Sequence, residues 1–143
     1  MKVPCGYVVF IIVLLAGCSR SPQKPATDAT LPACGPMPNC VNSQATNGGK
    51  VIAPLKASPF EWEQLKAWLA LQDGWTITAD KSEFLQAVVT TPLMRFRDDV
   101  QLMFMANDGL IHVRSSSRLG IGDTGTNRRR VEMLRSELAT GFE

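Results

Sequence analysis

The sequence predicts one α+β domain: a four-stranded, mainly antiparallel sheet flanked by two helices in the order α-β-β-β-β-α. Three observations predict it. Residues 58–74 open on a helix-capping signature and carry an apolar stripe. Residues 75–118 are rich in alternating and β-branched side chains and contain the turn former Asn107-Asp108-Gly109. Beyond the glycines at 120, 122 and 125 a helical period resumes and runs to about residue 140.

The amino end has a different job. Lys2 precedes an apolar run over residues 7–16, followed by Leu15-Ala16-Gly17-Cys18. A positive start, a short apolar core and small residues before a cut site predict an export signal over residues 1–17. The run is shorter than the ~20 residues a spanning helix needs. The LAGC motif resembles the bacterial lipobox, which implies that Cys18 becomes the first mature residue and carries palmitate-type acyl chains. Each buried methylene contributes ~0.8 kcal/mol to such an anchor. Ser19 implies, in a Gram-negative host, sorting to the outer membrane facing the periplasm. Residues 18–32, rich in Pro, Ser, Thr and Ala, predict a flexible linker, with the folded domain over 33–143.

Export orders the cysteines. Cys5 leaves with the signal and Cys18 takes the lipid, so Cys34 and Cys40 remain for an oxidising compartment. The loop Gly35-Pro36-Met37-Pro38-Asn39 lets their sulfurs meet, and a disulfide is the expectation. A metal or redox role is the weaker alternative: the spacing is not C-x-x-C, and among histidines only His112 is available as a further zinc ligand. No metal or cofactor is expected. The formal charge of +2 gives no global basicity for nucleic acid.

In chain order, residues 34–54 read as irregular, because Pro36, Pro38, Asn42, Asn47, Gly48 and Gly49 interrupt any regular element. Ser58, Pro59 and Glu61 supply an N-cap, a first-turn proline and a capping box, with Trp62, Leu65, Trp68 and Leu69 as the buried stripe and Gly74 as the stop. Strands are expected over 75–79, 84–91, 98–106 and 110–118, with a turn at residues 80–83. Ile111 and Val113 point to one face, and His112, Arg114, Ser116 and Arg118 to the other. A two-residue Asp108-Gly109 turn places Asp99 opposite Arg118, and a three-residue loop places Asp98 there. Asp123 or Thr124 is expected to cap the second helix, which buries Val131, Leu134 and Leu138 beside Asn127, with Gly141 as its stop.

The candidate surface is residues 114–130, RSSSRLGIGDTGTNRRR. Arg128, Arg129 and Arg130 crowd the positive end of a helix dipole, which disfavours each by ~0.3–1 kcal/mol at low salt. The candidate ligand-binding residues are Arg114, Arg118, Asp123, Asn127, Arg128 and Arg130, with Asp98 and Asp99 as ion-pair partners. Internal ion pairs are one answer to the crowding. An external anion such as a phosphate, sulfate, lipid headgroup or acidic sugar is another. Catalysis has the least support. No Walker A, dinucleotide fingerprint or nucleophile elbow is present, and Asp98 and Asp99, adjacent on a strand, point to opposite faces.

Three blocks, PCGPMPNCVNSQA, DDVQLMF and RSSSRLGIGDTGTNRRRVEML, resemble the domain-of-unknown-function family numbered 1499 from Cys34 to about Leu138. The resemblance implies bacterial exported or plastid relatives and no established activity. The functional expectation is therefore a tethered, non-enzymatic envelope lipoprotein whose Arg/Asp/Asn surface binds an anionic small molecule or an envelope protein. The competing class is an envelope hydrolase acting on a phosphoester or cell-wall bond through Asp98 or Asp99 with Arg114 or Arg118.

Overall fold

The computed structural model describes residues 30–46 and 48–142. The export signal, Cys18, Ser19 and most of the 18–32 linker lie outside the described residues. The architecture is α+β, with two helices and a mainly antiparallel sheet of six strands rather than four. The strands are β1 (Cys40–Asn42), β2 (Leu55–Lys56), β3 (Trp75–Lys81), β4 (Phe84–Thr90), β5 (Arg97–Met105) and β6 (Leu110–Ser117). The helices are α1 (Pro59–Ala70) and α2 (Thr126–Thr140). Spatial order is β1-β6-β5-β4-β3, with β2 also paired to β6.

One additional strand, β1, comes from the 34–54 segment expected to be irregular, and the other, β2, from residues 55 and 56, where no element was expected. β1 pairs Cys40–Asn42 with Ser116–Arg114, and β2 pairs Leu55 and Lys56 with Ile111 and Leu110. They share the outer edge of β6 end to end. Strands of three and two residues leave no periodicity to read, and they exist because β6 has a free edge. The expected Cys34–Cys40 disulfide is present, with the Cα atoms 5.7 Å apart.

α1 starts as its residues dictate. The Ser58 hydroxyl accepts from the Glu61 N–H, and the Glu61 carboxylate accepts from the Ser58 N–H at 2.6 Å. The helix ends at Ala70, before the expected stop at Gly74. Gly74 instead shapes the entry to β3: it sits at φ +78, and a Cβ there would lie 2.8 Å from the Thr90 carbonyl oxygen.

The turn after β3 is shorter than expected, two residues at Ser82-Glu83, because β3 continues to Lys81. The β5–β6 connection is longer. Met105 faces Leu110 across a four-residue loop, so neither expected register is adopted. Asp108 N–H bonds Met105 O at 3.0 Å, and Gly109 follows at φ 62. The physical reason is parity. A two-residue slip relative to the Asp108-Gly109 turn leaves every side chain on its face, so the apolar pattern cannot tell the two apart.

Both helices cover one face of the sheet. Trp62, Leu65 and Leu69 of α1 and Val131, Leu134 and Leu138 of α2 meet Leu85, Ala87, Val100, Leu102, Phe104, Ile111 and Val113. Trp62 stacks on Phe104 at 5.6 Å between centroids and donates its indole N–H to Ser82 O at 2.7 Å. Burial of each large side chain contributes ~1.5–3 kcal/mol. The opposite face is mainly polar, with Asn42, Gln86, Asp99, Gln101, Arg114 and Ser116 on it, and Met103 buried between Phe84 and His112. Gln101 donates to Gln86 Oε1 at 3.0 Å there.

Candidate functional site

The site is built where β6 turns into α2. The helix begins after Gly125, whose φ of 80 is costly for any residue with a Cβ. Glycine offers no capping side chain, and Asp123 takes over the role from two positions upstream. Its carboxylate accepts from the Gly125 N–H at 2.9 Å, from the Asn127 N–H at 2.8 Å and from the Asn127 amide at 2.7 Å. Burial pushes the Asp123 pKa up, but the Asn127 and Gly125 N–H groups outweigh it and hold the acid below its usual range. Of the two residues expected to cap, Asp123 is therefore the one that bonds, although the capping position is Gly125.

Asn127, wholly buried, is the hub. Its Oδ1 accepts from Ser115 Oγ at 2.6 Å and from Arg130 Nη1 at 2.6 Å. Its Nδ2 lies 3.0 Å from both Asn39 O and Ser117 Oγ. One side chain thus ties α2 to β6 and to the disulfide loop. Arg130 donates onward to Ser115 Oγ at 2.9 Å and to Asp98 Oδ2 at 2.5 Å. Asp98 is 2 % exposed, and its second oxygen, Oδ1, is buried without a hydrogen-bond partner among the described residues.

The other candidates fall elsewhere. Asp99 and Arg118 occupy the polar sheet face. Asp99 is opposite Ser116, and Arg118, two residues on, reaches it diagonally with Nε 3.0 Å from Oδ2 and Nη2 2.8 Å from Oδ1. Of the two carboxylates the sequence left open for Arg118, Asp99 is the one it binds, diagonally and not directly opposite as either expected register has it. Arg114 shares that face, and its Nε is buried without a hydrogen-bond partner among the described residues. Burial lowers its pKa, and the Asp99 charge restores part of the loss. Arg129 is spent on Thr124 O and Thr126 Oγ1. His112 Nδ1 lies 3.1 Å from Ser43 Oγ, which also accepts from the Val113 N–H, so the histidine buttresses the 43–45 turn.

Arg128 points away from the network, into a cleft of ≈340 Å³ lined by Pro38, Cys40, Gly48, Lys50, Asp123 and Gly125. Its Nη2 donates to Gly49 O at 3.0 Å and Val51 O at 2.8 Å. Lys50 donates to Gly35 O. Among the described residues neither cation has a carboxylate within salt-bridge range. Lys50 and Asn39 are not among the site residues expected from sequence: each sits in a segment without periodicity, and only the folded loop carries it to the helix tip. A second cleft, ≈320 Å³, is lined by Thr91, Phe96, Asp98, Ser117, Leu119 and Thr126 among others. Among the described residues no group of three or more His, Cys, Asp and Glu gathers as a metal site.

Comparison with known proteins agrees with the resemblance read from the three sequence blocks. The family model described as "Protein of unknown function (DUF1499)" matches residues 30–138, which is more than half of the chain. No curated protein and no solved structure matches it.

Proposed function

The chain belongs to the DUF1499 family of proteins of unknown function, and from that premise we propose a membrane-tethered, non-enzymatic envelope lipoprotein that binds an anionic group in the Lys50/Arg128 cleft. The tether is the lipid on Cys18, and the sequence motif LAGC carries it. One observation carries the binding half. Lys50 and Arg128 flank one cleft, donate to backbone carbonyls and, among the described residues, have no carboxylate within salt-bridge range. Carbonyl bonds orient the two cations without neutralising them. Asp123, which also lines the cleft, turns its oxygens into the N–H groups of Gly125 and Asn127. A phosphate, sulfate or carboxylate entering the cleft meets two cations against the single Asp123 carboxylate, whose oxygens cap α2.

Calorimetric titration with inorganic phosphate, phospholipid headgroups and acidic glycans tests the binding half. We expect a saturable heat with one of these classes and a loss of about tenfold or more in affinity for Lys50→Gln or Arg128→Gln, since hydrogen bonds to charged groups contribute ~1.5–3 kcal/mol. Heats that stay flat for all three classes remove it.

In the alternative, an envelope hydrolase, a carboxylate and an arginine must stand open together. Asp99 and Arg118 bind each other in a two-pronged pair, and Asp98 faces the opposite side of the sheet. That arrangement favours the non-enzymatic reading.

A further inference from the structure

The end of the sheet nearest the β4–β5 connection carries a surface that neither the arginine network nor the Lys50/Arg128 cleft uses. Of ten large apolar side chains exposed among the described residues, five lie on two loops there: Leu93, Met94 and Phe96 between β4 and β5, and Leu119 and Ile121 between β6 and α2. Leu93 is 89 % exposed and Ile121 79 %. The loops are neighbours. The Arg118 N–H bonds Arg97 O at 3.0 Å, and Phe96 and Leu119 line the same cleft. The first loop is held rather than slack. The Thr91 N–H bonds Phe96 O at 2.9 Å, the Phe96 N–H bonds Thr91 Oγ1 at 2.9 Å, and Arg95 stands at φ 55. Apolar side chains clustered on a braced loop mark an interaction surface, where the same residues scattered singly would not.

The charges among them say what the surface meets. Arg95 and Arg97 alternate with the apolar residues in Leu93-Met94-Arg95-Phe96-Arg97, and both are exposed. The adjoining loop at residues 71–74 brings one exposed apolar residue, Leu71, and one exposed carboxylate, Asp73, to the same end. Asp123 faces its own N–H partners. We infer that this tip docks on an anionic phospholipid bilayer, with Leu93, Met94, Phe96, Leu119 and Ile121 entering the interface and Arg95 and Arg97 meeting phosphate headgroups. The inference rests on the tethered reading for its geometry. The chain from Cys18 to Thr30 spans at most roughly 40 Å. A domain of this size has a radius of gyration of ~13 Å, so the tether lets any face reach the bilayer and surface chemistry selects the face.

The test uses the full-length protein, purified from membranes and reconstituted into vesicles of phosphatidylcholine with or without phosphatidylglycerol. An environment-sensitive fluorophore is attached through Met94→Cys, and through Asp108→Cys on the β5–β6 turn at the opposite end as control. We expect the label at 94 to shift to the blue and to be quenched by spin-labelled lipid when phosphatidylglycerol is present, while the label at 108 stays aqueous. Arg95→Gln and Arg97→Gln should each lower the docked fraction ratio about fivefold, the equivalent of ~1 kcal/mol per cation near an anionic surface. A label at 94 that stays aqueous on both vesicles overturns the inference. So does a blue shift that depends on protein concentration and needs no lipid, which assigns the tip to a second copy of the chain. Mass spectrometry of the amino-terminal peptide reads the tether separately. Should Cys18 carry no acyl chain, the tether fails by itself, and flotation of the same chain with phosphatidylglycerol vesicles decides the tip. Flotation lost on Arg95→Gln/Arg97→Gln supports docking, and flotation absent or unchanged overturns it.

Discussion

Arg130→Met is the perturbation that probes the arginine network most directly. The Arg130 and Asp98 side chains are 7 % and 2 % exposed, and Arg130 is the only partner of Asp98 among the described ion pairs. Removing the guanidinium leaves both oxygens of Asp98 buried without a donor among the described residues, since Oδ1 already lacks one. Breaking a buried pair from one side costs ~3–5 kcal/mol. In a domain of about this size each kcal/mol moves Tm by roughly 4–8 °C, so the fall is roughly 10–40 °C. The companion variant Asp98→Leu/Arg130→Met removes both charges. Ser115 Oγ and Asn127 remain bonded to each other at 2.6 Å, and Asn127 keeps its bonds to Asn39 and Asp123. The double variant should therefore recover to within ~2 kcal/mol of the parent, because an apolar pair of similar volume often equals a buried ion pair. Urea unfolding of parent, single and double variants at one pH supplies the numbers. A single variant within ~1 kcal/mol of the parent, or a double variant no better than the single, would refute the claim that this pair is a mutually neutralising buried couple.

Two further outcomes follow from the same end of the helix. The folded Asp123 pKa lies below its unfolded value of ~3.9, so its contribution is complete above that value and is lost as pH falls through the folded pKa. The parent should lose more urea resistance between neutral pH and pH ~3 than Asp123→Asn does; equal losses would show that the cap carries no proton linkage. Reducing the Cys34–Cys40 disulfide should lower stability by ~2 kcal/mol, the chain-entropy value for so short a loop. An unfolding midpoint unmoved by dithiothreitol would mean that the Asn39 bonds to Gly120 and Asn127 hold the loop unaided.

Local rules reached far along this chain. The capping box at Ser58, the stop at Gly141 and the Cys34–Cys40 closure all depend on residues a few positions apart, where propensity and loop closure decide. The association of Arg118 with Asp99 was legible for a related reason. Side-chain parity survives a two-residue slip, so two same-face partners stay within reach even when the turn length is misread.

Tertiary structure decided what parity and propensity leave degenerate. It chose the four-residue β5–β6 loop, and it paired Cys40–Asn42 and Leu55–Lys56 with an edge that nothing in their own composition announces. It also divided the arginines. By sequence Arg114, Arg118, Arg128 and Arg130 belong to one stretch, yet they end on the polar sheet face, in a surface cleft and in a buried network. A strand sends alternate side chains to opposite faces and a helix sends adjacent ones about 100° apart. Neighbours in the chain therefore become strangers in space, and their partners come from Asp98, Asp99 and the 49–51 carbonyls, contacts that exist only once the layers have packed.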